Sequence, residues 1–234
     1  MSLADMPDIP KELDRRKGRA DFVWSYTSLN LYENICPYQF FRRYINKDIK
    51  FVESAASKWG NEVHSAFEYR IGGKPLPVNM QHWEPLVAPL DGRGVTPEMK
   101  VGITMEGRTT GYFSENVWGR CKIDAPIVAG SKAMLIDWKS GNVREEPFEL
   151  EVQAVFLHAR YPTLTTIVGK YAWLKENRLG ELHNCLDTRS TWNKICTINQ
   201  KIEESRRTMQ WEKRQSGLCG WCSVLDCEHN TSKK

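Results

Sequence analysis

The stretch that most constrains this chain runs from Ala133 to Lys139, apolar and bounded by Gly130 on one side and Ser140-Gly141 on the other. Such a run reads as a buried strand. Side chains alternate along a strand, so Asp137 and Lys139 share one face while Ile136 and Trp138 share the other. A carboxylate and an ammonium then point into one small volume. Upstream, the run from Gly119 to Asp124 alternates too, and a short turn separates the two. If they form a hairpin, Asp124 reaches that same volume. Two carboxylates can hold a divalent cation, and a lysine beside them can orient or activate water next to a phosphate. The competing reading of a bare Asp-x-Lys is a strand-end ion pair, so the neighbouring sequence must decide between them.

The chain has 234 residues, enough for one large domain with a sizeable core. Hydrophobic residues make up 41% and charged residues 26%, the balance of a globular protein. A net charge of +4 neither demands nor opposes a nucleic-acid partner. No apolar run approaches the ~20 residues of a membrane span, and the N-terminus, acidic with Pro7 and Pro10, does not read as a signal peptide. No membrane association and a cytoplasmic location are expected. Seven cysteines, an odd number, argue against a disulfide framework.

Residues 1–21 carry Lys11, Arg15, Arg16, Lys17 and Arg19 and read as a flexible basic arm, with residues 22–234 forming a single domain. Thr27 or Ser28 is the expected cap of a first helix with Leu29, Tyr32, Ile35 and Cys36 on one stripe. Pro37 then opens a second helical segment that buries Phe40, Phe41, Tyr44 and Ile45 and turns Arg42, Arg43, Lys47 and Lys50 outward. Basic residues interleaved with aromatics suit a nucleic-acid backbone, and a solvated helix face explains them equally well. In a third helix Val63, Phe67 and Ile71 line one side, with His64 and Glu68 one turn apart on another.

Residues 72–97, rich in Gly and Pro, read as a loop. Met99 to Met105, preceded by Glu98, reads as a strand, Phe148 to Tyr161 as an amphipathic helix, Ile167 to Leu174 as a strand, and Trp192 to Trp211 as a last helix. The order of elements predicts an α+β sandwich with a mixed sheet flanked by helices.

The tail reads Cys219-Gly220-Trp221-Cys222, with Cys227 after four more residues. That spacing lets three thiolates converge on one metal centre. A fourth ligand is needed, for which Cys36 is the natural candidate and His229 the competitor. Cys121, Cys185 and Cys196 lack such spacing and read as core residues.

Taken together, five signatures in order, over residues about 25–229, resemble the PD-(D/E)XK nuclease superfamily. They are Ser25 to Tyr44 with its Cys36-Pro37, Gly60-x3-His64-x3-Glu68, Gly119-x4-Asp124, Asp137-x-Lys139 and the tail cysteines. The likeness is in particular to RecB-like and CRISPR-associated-type exonucleases with a four-cysteine iron–sulfur cluster, among them stand-alone phage members. The resemblance implies a restriction-endonuclease-like core and Mg²⁺ or Mn²⁺ held by His64, Asp124, Asp137 and the backbone carbonyl of Trp138. It also implies Lys139 as the catalytic lysine, with Glu98 a further acidic residue of the site.

The same resemblance implies a 4Fe–4S cluster on Cys36, Cys219, Cys222 and Cys227, with structural Zn²⁺ as the alternative because the Cys222–Cys227 spacing is one residue shorter than is common in the group. DNA would be the substrate, with Arg42, Arg43 and Gln153 as contacts. Whether Glu149 or Gln153 fills the family's Gln position stays open. The activity implied is a metal-dependent DNA exonuclease in recombination, replication or repair, placed in the host cytoplasm if phage-encoded. The alternatives are a structure-specific endonuclease and a non-catalytic, cluster-stabilised DNA-binding subunit. A homo-oligomer, or a recombinase, single-strand-binding or helicase partner, would supply processivity.

Overall fold

The computed structural model describes residues 22–49 and 53–232; the basic arm 1–21, Lys50 and the terminal Lys233-Lys234 lie outside the described residues. Helix α1 (Tyr26–Asn30) is capped by Ser25, whose Oγ accepts from Ser28 N–H while Ser28 Oγ accepts from Ser25 N–H. The cap therefore falls before Thr27, and Ser28 is its reciprocal partner three residues on. The helix runs into a π-helical turn at Leu31–Ile35 and stops at Cys36, whose backbone is extended. Pro37 takes the first position of α2 (Pro37–Phe40), where its missing N–H costs nothing, and a second π-helical turn follows at Phe41–Ile45.

Helix α3 (Ala55–Ile71), capped by Ser54, carries His64. The next stretch is not the loop expected from its prolines. Short helical turns run from Val78 to Leu90, including α4 (Glu84–Val87), and bury Leu76, Met80, Trp83, Val87 and Leu90. Those five residues are spaced four, three, four and three apart, the period of one helical face. Pro85 and Pro89 sit in the first turns of their segments, where proline is tolerated.

The strands are β1 (Met99–Ile103), β2 (Thr109–Thr110), β3 (Gly119–Ile123), β4 (Ala125–Ala129), β5 (Lys132–Lys139), β6 (Thr166–Trp173), β7 (Arg178–Leu179) and β8 (His183–Asn184). Helix α5 (Phe148–Arg160) links β5 to β6, and α6 (Thr188–Thr208) follows β8. One sheet has the order β2-β1-β3, all antiparallel; the other runs β4-β5-β6-β7, with β8 also along β6. In the second sheet the β5–β6 pair, joined by the crossover helix, is parallel and the β4–β5, β6–β7 and β6–β8 pairs are antiparallel, so that sheet is mixed. The fold is α+β with a mixed sheet between helical layers.

Two apolar clusters lie on opposite faces. The larger joins Val101, Ile103, Cys121, Ile123 and Leu135 to α5, α6 and the fully buried Trp24. The smaller joins Ile136, Trp138 and Ala172 to Val63 and Phe67 of α3 and to the 76–90 segment. Gly119 is dictated by the first cluster, because a Cβ there would come within 2.4 Å of the Trp24 ring. At Asp124 the chain leaves the first sheet and enters the second. Strand β4 then returns along β5 through a turn at Gly130, which has a φ of +59°. The expected hairpin of the Gly119–Asp124 run with β5 is not formed: that run pairs with β1 in the other sheet, and β5 takes as its hairpin partner β4, a strand where the sequence suggested only a turn.

Candidate active site

The β4–β5 register sets Ala125 against Ile136, so Asp124 stands beside Asp137 at the open end of the hairpin. The two carboxylates meet opposite layers. Asp124 turns to the α3 side, with Oδ1 3.2 Å from His64 Nδ1. Asp137 turns to the α5 side, with Oδ2 2.7 Å from Lys139 Nζ. The Trp138 backbone links the halves: its N–H donates to Asp124 Oδ2 (3.0 Å), and its carbonyl oxygen lies 3.2 Å from His64 Nε2. Asp137 and Lys139 share one strand face and Trp138 the other, as the alternation requires.

On the α3 side, Glu98 completes a trio. Its Oε1 lies 3.4 Å from His64 Nδ1, and its other oxygen pairs with Lys122. Glu98 has a φ of +53°, a left-handed conformation that is costly for a residue with a Cβ. Ligand atoms of His64, Glu98 and Asp124 all lie within 4.8 Å of one another. An imidazole nitrogen with two carboxylate oxygens is a donor set for Mg²⁺ or Mn²⁺, the nitrogen suiting Mn²⁺ better. Asp137 lies outside this trio, its oxygens engaged by Lys139 and by Gln153.

Charge balance points the same way. Burial disfavours the His64 imidazolium, but Asp124 and Glu98 outweigh it and raise its pKa to about 10. Burial and the neighbouring Asp137 raise the Asp124 carboxyl. Glu98 is lowered, as His64 and Lys122 overcome its burial. Buried carboxylates that destabilise one another in this way gain from a cation between them.

On the α5 side, Glu149 and Gln153 stand one helical turn apart. Glu149 Oε2 lies 2.6 Å from Lys139 Nζ, and Gln153 Nε2 donates to Asp137 Oδ1 (2.6 Å). Lys139 is thus gripped between two carboxylates, which overcome its burial and raise its pKa. Burial and Asp137 push Glu149 up to about 7. Gln153 is 3% exposed, so it serves as a brace for Asp137 and not as the DNA contact expected of it. Both registers of the helical motif therefore matter, one residue for each half of Asp-x-Lys. Glu149 and Lys122 were not assigned to the site from sequence. The four-residue spacing to Gln153 and the two-residue spacing to Asp124 are the signals that carry them.

Arg42 is also corrected. It is bound to Asp48, Asp226 and the Tyr38 hydroxyl, so it ties α2 to the tail where an outward, DNA-facing residue was expected. The Arg43 guanidinium lies 5.4 Å from the Tyr44 ring centre. Cys36, Cys219, Cys222, Cys227 and His229 all line one small cavity between the N-terminal helices and the tail. Burial, then the neighbouring cysteines, raise the Cys222 thiol. Around the cavity, Trp211 stacks on Phe41 (5.0 Å), Tyr38 N–H donates to Glu212 O, and Arg214 donates to Glu33 O. All seven cysteines are free thiols; Cys121 and Cys185 are buried in the core, as expected.

No family model matches the chain, and no curated protein matches it. Among solved structures it is similar to the SSO0001 protein, at 14% identity and a TM-score of 0.51, over 94% of this chain and 91% of that one. It is also similar to a protein from Eubacterium rectale described as a candidate exonuclease, at 9% identity and a TM-score of 0.56, over 92% of this chain and 89% of that one. At such identities the likeness is one of fold, and it extends over nearly the whole of each chain. Among the described residues no helix is long and apolar enough to cross a membrane.

Proposed function

We propose that this chain is a metal-dependent deoxyribonuclease of the PD-(D/E)XK type, acting as an exonuclease in recombination, replication or repair. The observation that carries the reading is the trio His64, Glu98 and Asp124, joined through the Trp138 backbone to the Asp137–Lys139 strand. The fold likeness to a candidate exonuclease agrees with it.

His64, Glu98 and Asp124 would hold Mg²⁺ or Mn²⁺ on the Nδ1 side of the imidazole, with the Trp138 carbonyl at its Nε2 and Asp137 held on the Lys139 side instead of in the expected ligand set. Such a cation supplies Lewis-acid polarisation of the scissile phosphate and a more acidic water. The chain's own residues do the rest. Lys139, kept charged by Asp137 and Glu149, places an ammonium beside the charge that develops on the phosphoryl oxygens and orients the attacking water. Gln153 fixes the Asp137 rotamer. Glu149, with its pKa near neutrality, can hold a proton next to Lys139 Nζ.

The cysteine cavity is read as the seat of a 4Fe–4S cluster on Cys36, Cys219, Cys222 and Cys227, closing the single domain by joining its N-terminal helices to its tail. Structural Zn²⁺ on the same thiols is the alternative.

Digestion of 5′- and 3′-labelled single- and double-stranded DNA with Mg²⁺ or Mn²⁺ tests the proposal. Nucleotides should be released from an end. Asp124→Ala, Asp137→Ala and Lys139→Ala should each lose ~10²-fold or more in rate. Full activity in any one of the three would remove this assignment.

A further inference from the structure

The outer face of the three-stranded sheet has a composition that the metal trio does not explain. Val101, Ile103, Cys121 and Ile123 face the larger core, so Lys100, Gly102, Arg120 and Lys122 face away from it. Lys100 and Lys122 are direct cross-strand partners, and both are exposed. Like charges placed opposite one another in a sheet oppose its stability. Lys122 spends part of its charge on Glu98, which ties this face to the metal trio.

An aromatic loop folds back onto the same face. Gly102 leaves room for it, since a Cβ there would come within 2.7 Å of the Gly111 carbonyl oxygen. Next in the chain, Tyr112 and Phe113 meet edge to face at 4.9 Å. The Arg120 guanidinium, opposite Gly102 in the register, lies 5.5 Å from the Tyr112 ring centre and 5.4 Å from that of Phe113. Phe113 is 75% exposed, an unusual position for a ring backed by both a cation and a second ring. Among the described residues no carboxylate pairs with Arg120, and its buried Nε has no acceptor. The cation is held in place by rings and left without a neutralising anion.

These groups lie in line with the site. Arg120, Lys122 and Asp124 follow at two-residue steps, and each step along a strand advances roughly 6.6 Å, so Arg120 stands about 13 Å from Asp124 along the chain. An exposed ring, an unneutralised guanidinium and two lysines are the parts of a single-strand track, in which bases stack and phosphates are met by cations.

We infer that Tyr112, Phe113 and Arg120 form a stacking platform for an unpaired base, a few nucleotides from the metal trio, with Lys100 and Lys122 meeting the adjoining phosphates. A base inside a duplex has both faces covered and cannot lie on Phe113, so the preferred substrate is a single strand or a frayed end. The inference rests on the nuclease reading and specifies the substrate of that site.

The test is fluorescence anisotropy of a labelled single-stranded oligonucleotide in excess chelator, so that binding is read without cleavage. Phe113→Ala should weaken binding roughly 5- to 150-fold, the range for one stacked base. Phe113→Leu should stay near the alanine level, Phe113→Trp should restore affinity, and duplex binding should change little in all three. Phe113 is exposed, so these variants should keep the wild-type melting temperature. Equal affinity of wild type and Phe113→Ala for single strands, or a loss that leucine repairs as well as tryptophan does, would overturn the platform. A wild type that binds neither form would overturn it too. Cleavage separates the two readings. Phe113-dependent binding without cleavage under any divalent cation removes the nuclease assignment alone, whereas cleavage indifferent to Phe113 removes the platform alone.

Discussion

At the scale of single residues, His64 couples the site to pH. Its imidazolium pKa of about 10 in the folded chain exceeds the usual 6.5. The proton's contribution to stability is therefore complete below about pH 6.5 and is lost as pH rises through about 10. A metal ligand must be the neutral imidazole, so a cation displaces this proton on binding. The apparent Mn²⁺ affinity of wild type should then rise across pH 7 to 9, by up to about tenfold per unit for one displaced proton, as titration calorimetry would record. His64→Gln should bind more weakly and with a flatter pH profile. A wild-type affinity that does not change over this window would return His64 to a structural role. Sequence alone allowed this histidine a bland reading, because a lone histidine on a helix says nothing of Glu98 and Asp124, which arrive from residues far along the chain.

At the scale of elements, legibility followed periodicity. Strand β5 was readable as an apolar run bounded by Gly130 and Ser140-Gly141, and helices α5 and α6 by their helical stripes. Strand β4 was not: Ala125-Pro126-Ile127-Val128-Ala129 buries its first two residues in succession and shows no alternation. The segment from Leu76 to Leu90 was hidden by its prolines although its apolar spacing is helical. Cys36 is the element-scale counterpart of Asp124, a single extended residue between two helical turns, which brings its thiol to the tail cavity. Serine at Cys36, Cys219, Cys222 or Cys227 should lower the melting temperature and abolish bound iron and sulfide in anaerobically purified protein. Cys196→Ser should keep both. Zinc content of about one per chain without iron would reassign the cavity.

At the scale of the whole molecule, the sheet divides the apolar interior into two clusters of unequal size. Proteins open in sub-global units, and a small cluster carried by one helix and short turns is the natural first to open. Helix α3 and the 76–90 segment should exchange their amide hydrogens faster than α5 and α6. His64 belongs to the smaller unit, whereas Asp137 and its brace Gln153 belong to the larger. When α3 detaches, the imidazole leaves and most of the carboxylates stay behind. A cation held by both groups bolts two units that otherwise breathe separately. Mn²⁺ at 100 times its dissociation constant should slow exchange by up to about 100-fold in α3 and in amides that exchange only by global unfolding, while openings that leave the site intact should keep their rates. Metal occupancy would then be written in the protection pattern of the helix that carries His64, so loading of the site could be followed with no substrate present.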